Sequence, residues 1–105
     1  MNTDTIQASR ALWGDGGYTR ALSPLETPTD ILRVLNQHNI QDKITFPKLP
    51  RAARRAILTK LDSMPEDMLD THMQAYRGIW ITILRYIHIW EYPIGKVHKV
   101  YRELL

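Results

Sequence analysis

The sequence predicts an all-α fold, a compact bundle of four to five helices with one long central apolar helix. Apolar residues recur at steps of three and four through most of residues 28–105. Proline, glycine and short polar residues punctuate that pattern at helix-length intervals. From Gly78 to Trp90 the chain reads Gly-Ile-Trp-Ile-Thr-Ile-Leu-Arg-Tyr-Ile-His-Ile-Trp, with Arg85 the one certain charge. A chain of 105 residues is of single-domain size and buries roughly 60–70% of its unfolded surface. Residues 1–27 are expected to form a flexible or loosely packed N-terminal arm, and residues 28–105 the helical domain.

In the arm, Thr3 to Trp13 suits a short helix stopped by Gly14, and Gly14-Asp15-Gly16-Gly17 marks a turn. The near-copies Ser9-Arg10-Ala11-Leu12 and Thr19-Arg20-Ala21-Leu22 offer a small hairpin as the rival reading. After the linker at Ser23 to Pro28, Thr27-Pro28-Thr29-Asp30 has an N-cap, a proline at the first helical position and an acid in the first turn. Ile31, Leu32, Val34, Leu35 and His38 then share one face, and Asn39 suits a left-handed helix end. Gln41 to Leu49 is a connector whose Ile44 and Phe46 are expected to enter the core beside a brief extended segment.

Pro50 opens the next helix, with Ala53, Ile57 and Leu61 as its apolar stripe, Arg51, Arg55 and Thr59 opposite, and Arg54 at the stripe's edge. Ser63-Met64-Pro65-Glu66 has the spacing of a capping box for the long helix that follows. On that helix Met68, Leu69, His72, Tyr76, Ile79, Trp80, Ile83, Ile87 and Trp90 form one face. Ile81, Leu84 and Ile89 intrude on the polar side. The isoleucines alternate as in a strand, but polar residues recur at three to four, which favours helix. Pro93 and Gly95 are expected to stop it. A last helix over Lys96–Leu105 turns Val97, Val100, Tyr101 and Leu104 inward, with Lys99 placed to pair with Glu103.

Composition excludes several functions. The apolar run is about 13 residues with a charge inside it, short of the roughly 20 that span a bilayer. No basic flank and apolar segment follow Met1, so no secretory leader is expected, and the absence of cysteine suits a reducing, cytoplasmic setting. Ser9, Ser23 and Ser63 lie in turns or caps. Glu66, Asp67 and Asp70 complement a helix dipole, so no catalytic residue is expected. His38, His72, His88 and His98 lack a metal-binding spacing, and the Gly-rich turn lacks the Lys-Ser/Thr of a phosphate loop. His72 reads as a hydrogen-bonded core histidine. No metal and no cofactor is expected.

Charge and aromatic content point to a partner instead. The net charge is +3, and residues 28–62 hold seven basic against three acidic side chains. Lys48, Arg51, Arg54 and Arg55 form one basic cluster, and Lys96, Lys99 and Arg102 a second beside His98. Either suits an anionic partner, duplex DNA included. The second cluster follows a Tyr92-Pro93-Ile94-Gly95 turn in the order of a helix-turn-helix. Trp80, Tyr86, Trp90 and Tyr92 suit a core or an interface, and Ile81, Leu84, Tyr86, Ile89 and Trp90 are the expected protein-interface residues. These features predict a non-enzymatic small regulator of gene expression, a helical homodimer that binds DNA or docks on a transcription factor. The alternative is a pure protein-binding module, such as an inhibitor, anti-activator or secretion-type chaperone.

Overall fold

The computed structural model describes residues 21–105, and every regular element among them is helical. The helix and turn expected over Thr3 to Gly17, and the rival hairpin, lie outside the described residues. Five α-helices follow in order: α1 Pro28–Gln37, α2 Arg51–Asp62, α3 Glu66–Ala75, α4 Arg77–Tyr86 and α5 Gly95–Leu104, with a 3-10 turn at Phe46–Lys48 before α2. The expected all-α bundle is what forms.

Helix α1 starts as its sequence dictates. The Asp30 amide donates to Thr27 Oγ1 at 3.2 Å, and the Thr27 amide returns a bond to Asp30 Oδ2 at 3.2 Å. At the other end Asn39 takes φ 64°, and the Ile40 amide reaches back to the Leu35 carbonyl at 2.9 Å. Ile31 and Leu35 are fully buried, and Leu22, from the stretch expected as an arm, also enters the core. Phe46 is buried as expected, but Ile44 is 67% exposed. The Asp42 carboxylate accepts the amides of both Ile44 and Thr45, closing a tight turn. That turn leads into a 3-10 helix rather than an extended segment, and it leaves Ile44 outside.

Ala53, Ile57 and Leu61 of α2 are buried together with Leu58. The expected capping box after it does not form. Ser63 is the C-cap of α2, and its hydroxyl donates backward to the Lys60 carbonyl at 2.6 Å, so α3 begins at Glu66 behind Pro65 without a side-chain cap. Lys99 likewise pairs with Glu66 of α3 at 3.4 Å instead of Glu103.

The single apolar rod is resolved as two ten-residue helices and a connector. Tyr76 ends α3 and opens α4 with φ −119° and ψ 45°, and the exposed Gly78 two residues on lowers the helical preference there. The change of axis moves Tyr76 and Ile79 outward, leaving them 54% and 40% exposed. Trp80, Ile83, Leu84 and Ile87 become the buried stripe. Helix α4 stops before Pro93, because His88 adopts φ 61°. Ile89 is thereby turned in and Trp90 out.

Helix α5 is the member around which α2, α3 and α4 assemble. It packs most extensively on α3 and also against α2 and α4, burying the four residues expected to face inward. Each end is capped from elsewhere in the chain. Asp62, the last residue of α2, accepts the Lys96 amide at 2.8 Å, and Arg77 Nε donates to the Leu104 carbonyl at 2.7 Å. An anion at the N-terminus and a cation at the C-terminus both complement the helix dipole. His72 joins α3 to α1, its Nδ1 lying 3.0 Å from Thr29 Oγ1, which is the hydrogen-bonded role its position suggested.

Candidate anion-binding site

The chain from Tyr92 to Lys96 runs beside α2, from the arginines at its start to Asp62 at its end. This course places the Tyr92 ring among three guanidinium groups. The Arg51, Arg54 and Arg55 Cζ atoms lie 5.3, 5.9 and 5.5 Å from its centroid, all within cation–π range. Arg51 and Arg55 stand exposed, while Arg54 is half-buried and donates from Nη1 to the Leu49 carbonyl at 3.2 Å. None of the three meets a carboxylate among the described residues, whose ion pairs are Arg33–Asp30, His88–Glu91 and Lys99–Glu66.

Local electrostatics leave positive charge uncompensated at this end of α2. The first turn of α2 holds no acid, and Pro50 gives the helix no side-chain cap. Its unpaired amides and the positive end of its dipole therefore add to the arginine charge. Like charges four apart on a helix repel by a few tenths of a kcal/mol. Each exposed cation–π contact returns about 0.5–1 kcal/mol and fixes where the guanidinium lies. The result is a positive, organised and chemically unsatisfied end of α2.

The other predicted basic residues are distributed differently. Lys48 ends the 3-10 turn three residues before Arg51 and adds a minor attraction to Asp42, whose carboxyl is held below its ordinary range first by the Thr45 amide and hydroxyl. Lys96, Lys99 and Arg102 all lie on α5, but Lys99 is engaged by Glu66. An open groove of about 420 Å³ on that helix is lined by Gly95, His98, Lys99, Arg102 and Glu103. Eight residues, 87–94, separate α4 from α5, where a helix-turn-helix uses three or four. The C-terminal pair is not that motif.

Of the expected protein-interface residues, Leu84 and Ile89 are wholly buried in this chain's own core. Ile81 and Tyr86 are partly buried against it, and Trp90 stands 56% exposed. Most of the surplus apolar surface is thus covered internally. Sequence reasoning set Tyr92 among core or interface aromatics and did not place it with the arginines. No spacing connects residue 92 to residues 51–55, and only the path of the connector does so.

Among the described residues no group of three or more histidines and acids is placed to hold a metal ion, and no helix is long and apolar enough to cross a membrane. Compared with known family models, curated proteins and solved structures, the chain matches none.

Proposed function

We propose that this protein is a non-enzymatic regulator of gene expression in the cytoplasm, acting by holding the phosphate backbone of a nucleic acid at the start of α2. The supporting observation is the convergence of Arg51, Arg54 and Arg55 on Tyr92 at an uncapped helix end that no carboxylate among the described residues neutralises. A guanidinium offers a planar fork of donors that matches a phosphate. Three of them preset on one ring lose little freedom on binding. Without a helix-turn-helix in the C-terminal pair, recognition rests on backbone contacts, which position a nucleic acid without reading its sequence.

The test is fluorescence anisotropy of a labelled DNA with the full chain across a salt series. Binding should weaken linearly in log[salt], and Arg51→Glu with Arg55→Glu should abolish it. No detectable binding at low salt rejects this function. A second reading, a homodimer or protein-docking module, is favoured by Tyr76 and Ile79, which stand exposed at the start of α4. Ile79 also borders an open groove of about 600 Å³ with Leu32, Ile40 and Phe46. Sedimentation that returned the wild-type dimer mass for Ile79→Glu, or a monomer mass for the wild type, would remove the homodimer from that reading.

A further inference from the structure

Trp90 is the feature that the arginine cluster leaves unexplained. It is 56% exposed although the same core buries a second tryptophan, Trp80, and Tyr101. Its ring is held by two neighbours on α5, His98 at 4.9 Å with an interplanar angle of 90° and Tyr101 at 5.7 Å and 68°. Both contacts are edge-on, so neither ring lies flat on the indole. His98 also lines the α5 groove with Lys99, Arg102 and the acidic Glu103, so the indole's neighbour belongs to a surface that carries Arg102. Two residues further on, Tyr92 enters the arginine cluster. The connector therefore carries two aromatic rings. One ring is covered by arginines and the other is open to solvent.

A largely exposed indole on the connector that also carries Tyr92 to the arginines suits an unpaired base, which stacks on it while the flanking phosphates meet the cations. Bases in a duplex are already stacked and offer no free face to a ring on a protein surface. We propose that the nucleic acid is single-stranded, with one base stacked on Trp90 and the adjoining phosphates held by Arg51, Arg55 and Arg102. This rests on the nucleic-acid reading given above and adds the class of strand and the base contact.

The experiment compares the full-length protein with a labelled oligothymidine of about 20 nucleotides and with a duplex of equal length, at low salt. The single strand should bind more tightly. Trp90→Ala should weaken its binding about tenfold while leaving duplex binding within about twofold. Trp90→Phe should retain most of the affinity. Trp90→Leu should behave like Ala, because it keeps apolar bulk and lacks a π-face. The exposure of residue 90 makes these variants foldable, and matched urea midpoints verify it. Single-strand affinity unchanged in Trp90→Ala, or retained in Trp90→Leu, overturns the stacking proposal and leaves the arginine reading standing. Absence of binding to both probes overturns the nucleic-acid reading itself, and this proposal with it.

Discussion

The Ile89 amide donates to the Leu84 carbonyl at 3.3 Å, and both side chains are completely buried. With the His88 amide bonded to the Arg85 carbonyl at 3.2 Å, this is a Schellman closure of α4 with its customary apolar pair. His88 is the left-handed residue, at φ 61°. A side chain there costs about 1–2 kcal/mol that glycine avoids, against a larger loss of backbone entropy for glycine. His88→Gly should therefore stabilise the protein by about 0.5–1 kcal/mol, and His88→Val should destabilise it. Urea midpoints at constant slope measure both.

Asp62 and Gly95 form a coupled pair at the start of α5. A methyl group on Gly95 would stand 2.9 Å from Asp62 Oδ1, displacing the carboxylate that caps the Lys96 amide. Asp62→Ala should cost about 1 kcal/mol, as for loss of an N-cap, and Gly95→Ala a similar amount. In the Asp62→Ala background Gly95→Ala should become neutral or stabilising, since alanine is the better helix former by about 1 kcal/mol. A double-mutant cycle from urea denaturation reads the coupling, and strict additivity would deny it.

Two carboxyl groups set the acid limb of stability. Asp30 is held below its ordinary range, first by hydrogen bonding with the Thr27 side chain and then by the Glu26 and Thr27 amides. Asp42 is held low first by the Thr45 amide. Each loses its proton more readily folded than unfolded. Their stabilisation is thus full above the ordinary carboxylate range and is lost as pH falls from that range through the lowered folded values. His38 is lowered by burial, so the unfolded chain protonates first and stability also declines as pH drops through the ordinary histidine range. Asp30→Asn with Asp42→Asn should flatten the acid limb of a plot of thermal midpoint against pH, leaving the step near the histidine range. An unchanged acid limb would contradict the assignment.

Tyr92 organises charge without carrying any. Tyr92→Phe keeps the ring under the three guanidinium groups and should preserve DNA affinity. Tyr92→Ala should lower it about three- to tenfold, because the arginines must then be ordered by the ligand at its own expense in entropy. Equal affinity for Tyr92→Ala and the wild type, measured by anisotropy at one salt concentration, would remove Tyr92 from the site.

Much of the fold is legible in local sequence, because local chemistry decides it. Thr27 and Asp30 cap α1, Asn39 ends it, and the buried stripes of α2 and α5 follow from spacings of three and four. Periodicity carries the rod through unbroken, and the dihedral angles at Tyr76 and His88 override it. Neither is a glycine or proline, and Gly78 alone weakens the helix nearby, so a wheel drawn through both assigns Leu84 and Ile89 to the wrong side. Tertiary caps are likewise invisible in sequence. Nothing local marks Asp62 or Arg77 as a cap until α5 is set between them. The arginines of the candidate site were legible as a cluster. Their ordering on Tyr92 depends on a connector path that carries no periodic signal.

Nucleic-acid binding rests most on Arg51 and Arg55 as phosphate contacts, and the salt dependence of DNA binding tests this most directly. Each phosphate neutralised adds about 0.7–0.9 to the slope of log affinity against log[salt]. Replacing Arg51 and Arg55 by glutamine should lower that slope by about 1.5 and weaken binding similarly for every sequence tried. An unchanged slope in the double variant, with its fold intact by circular dichroism, would contradict the account.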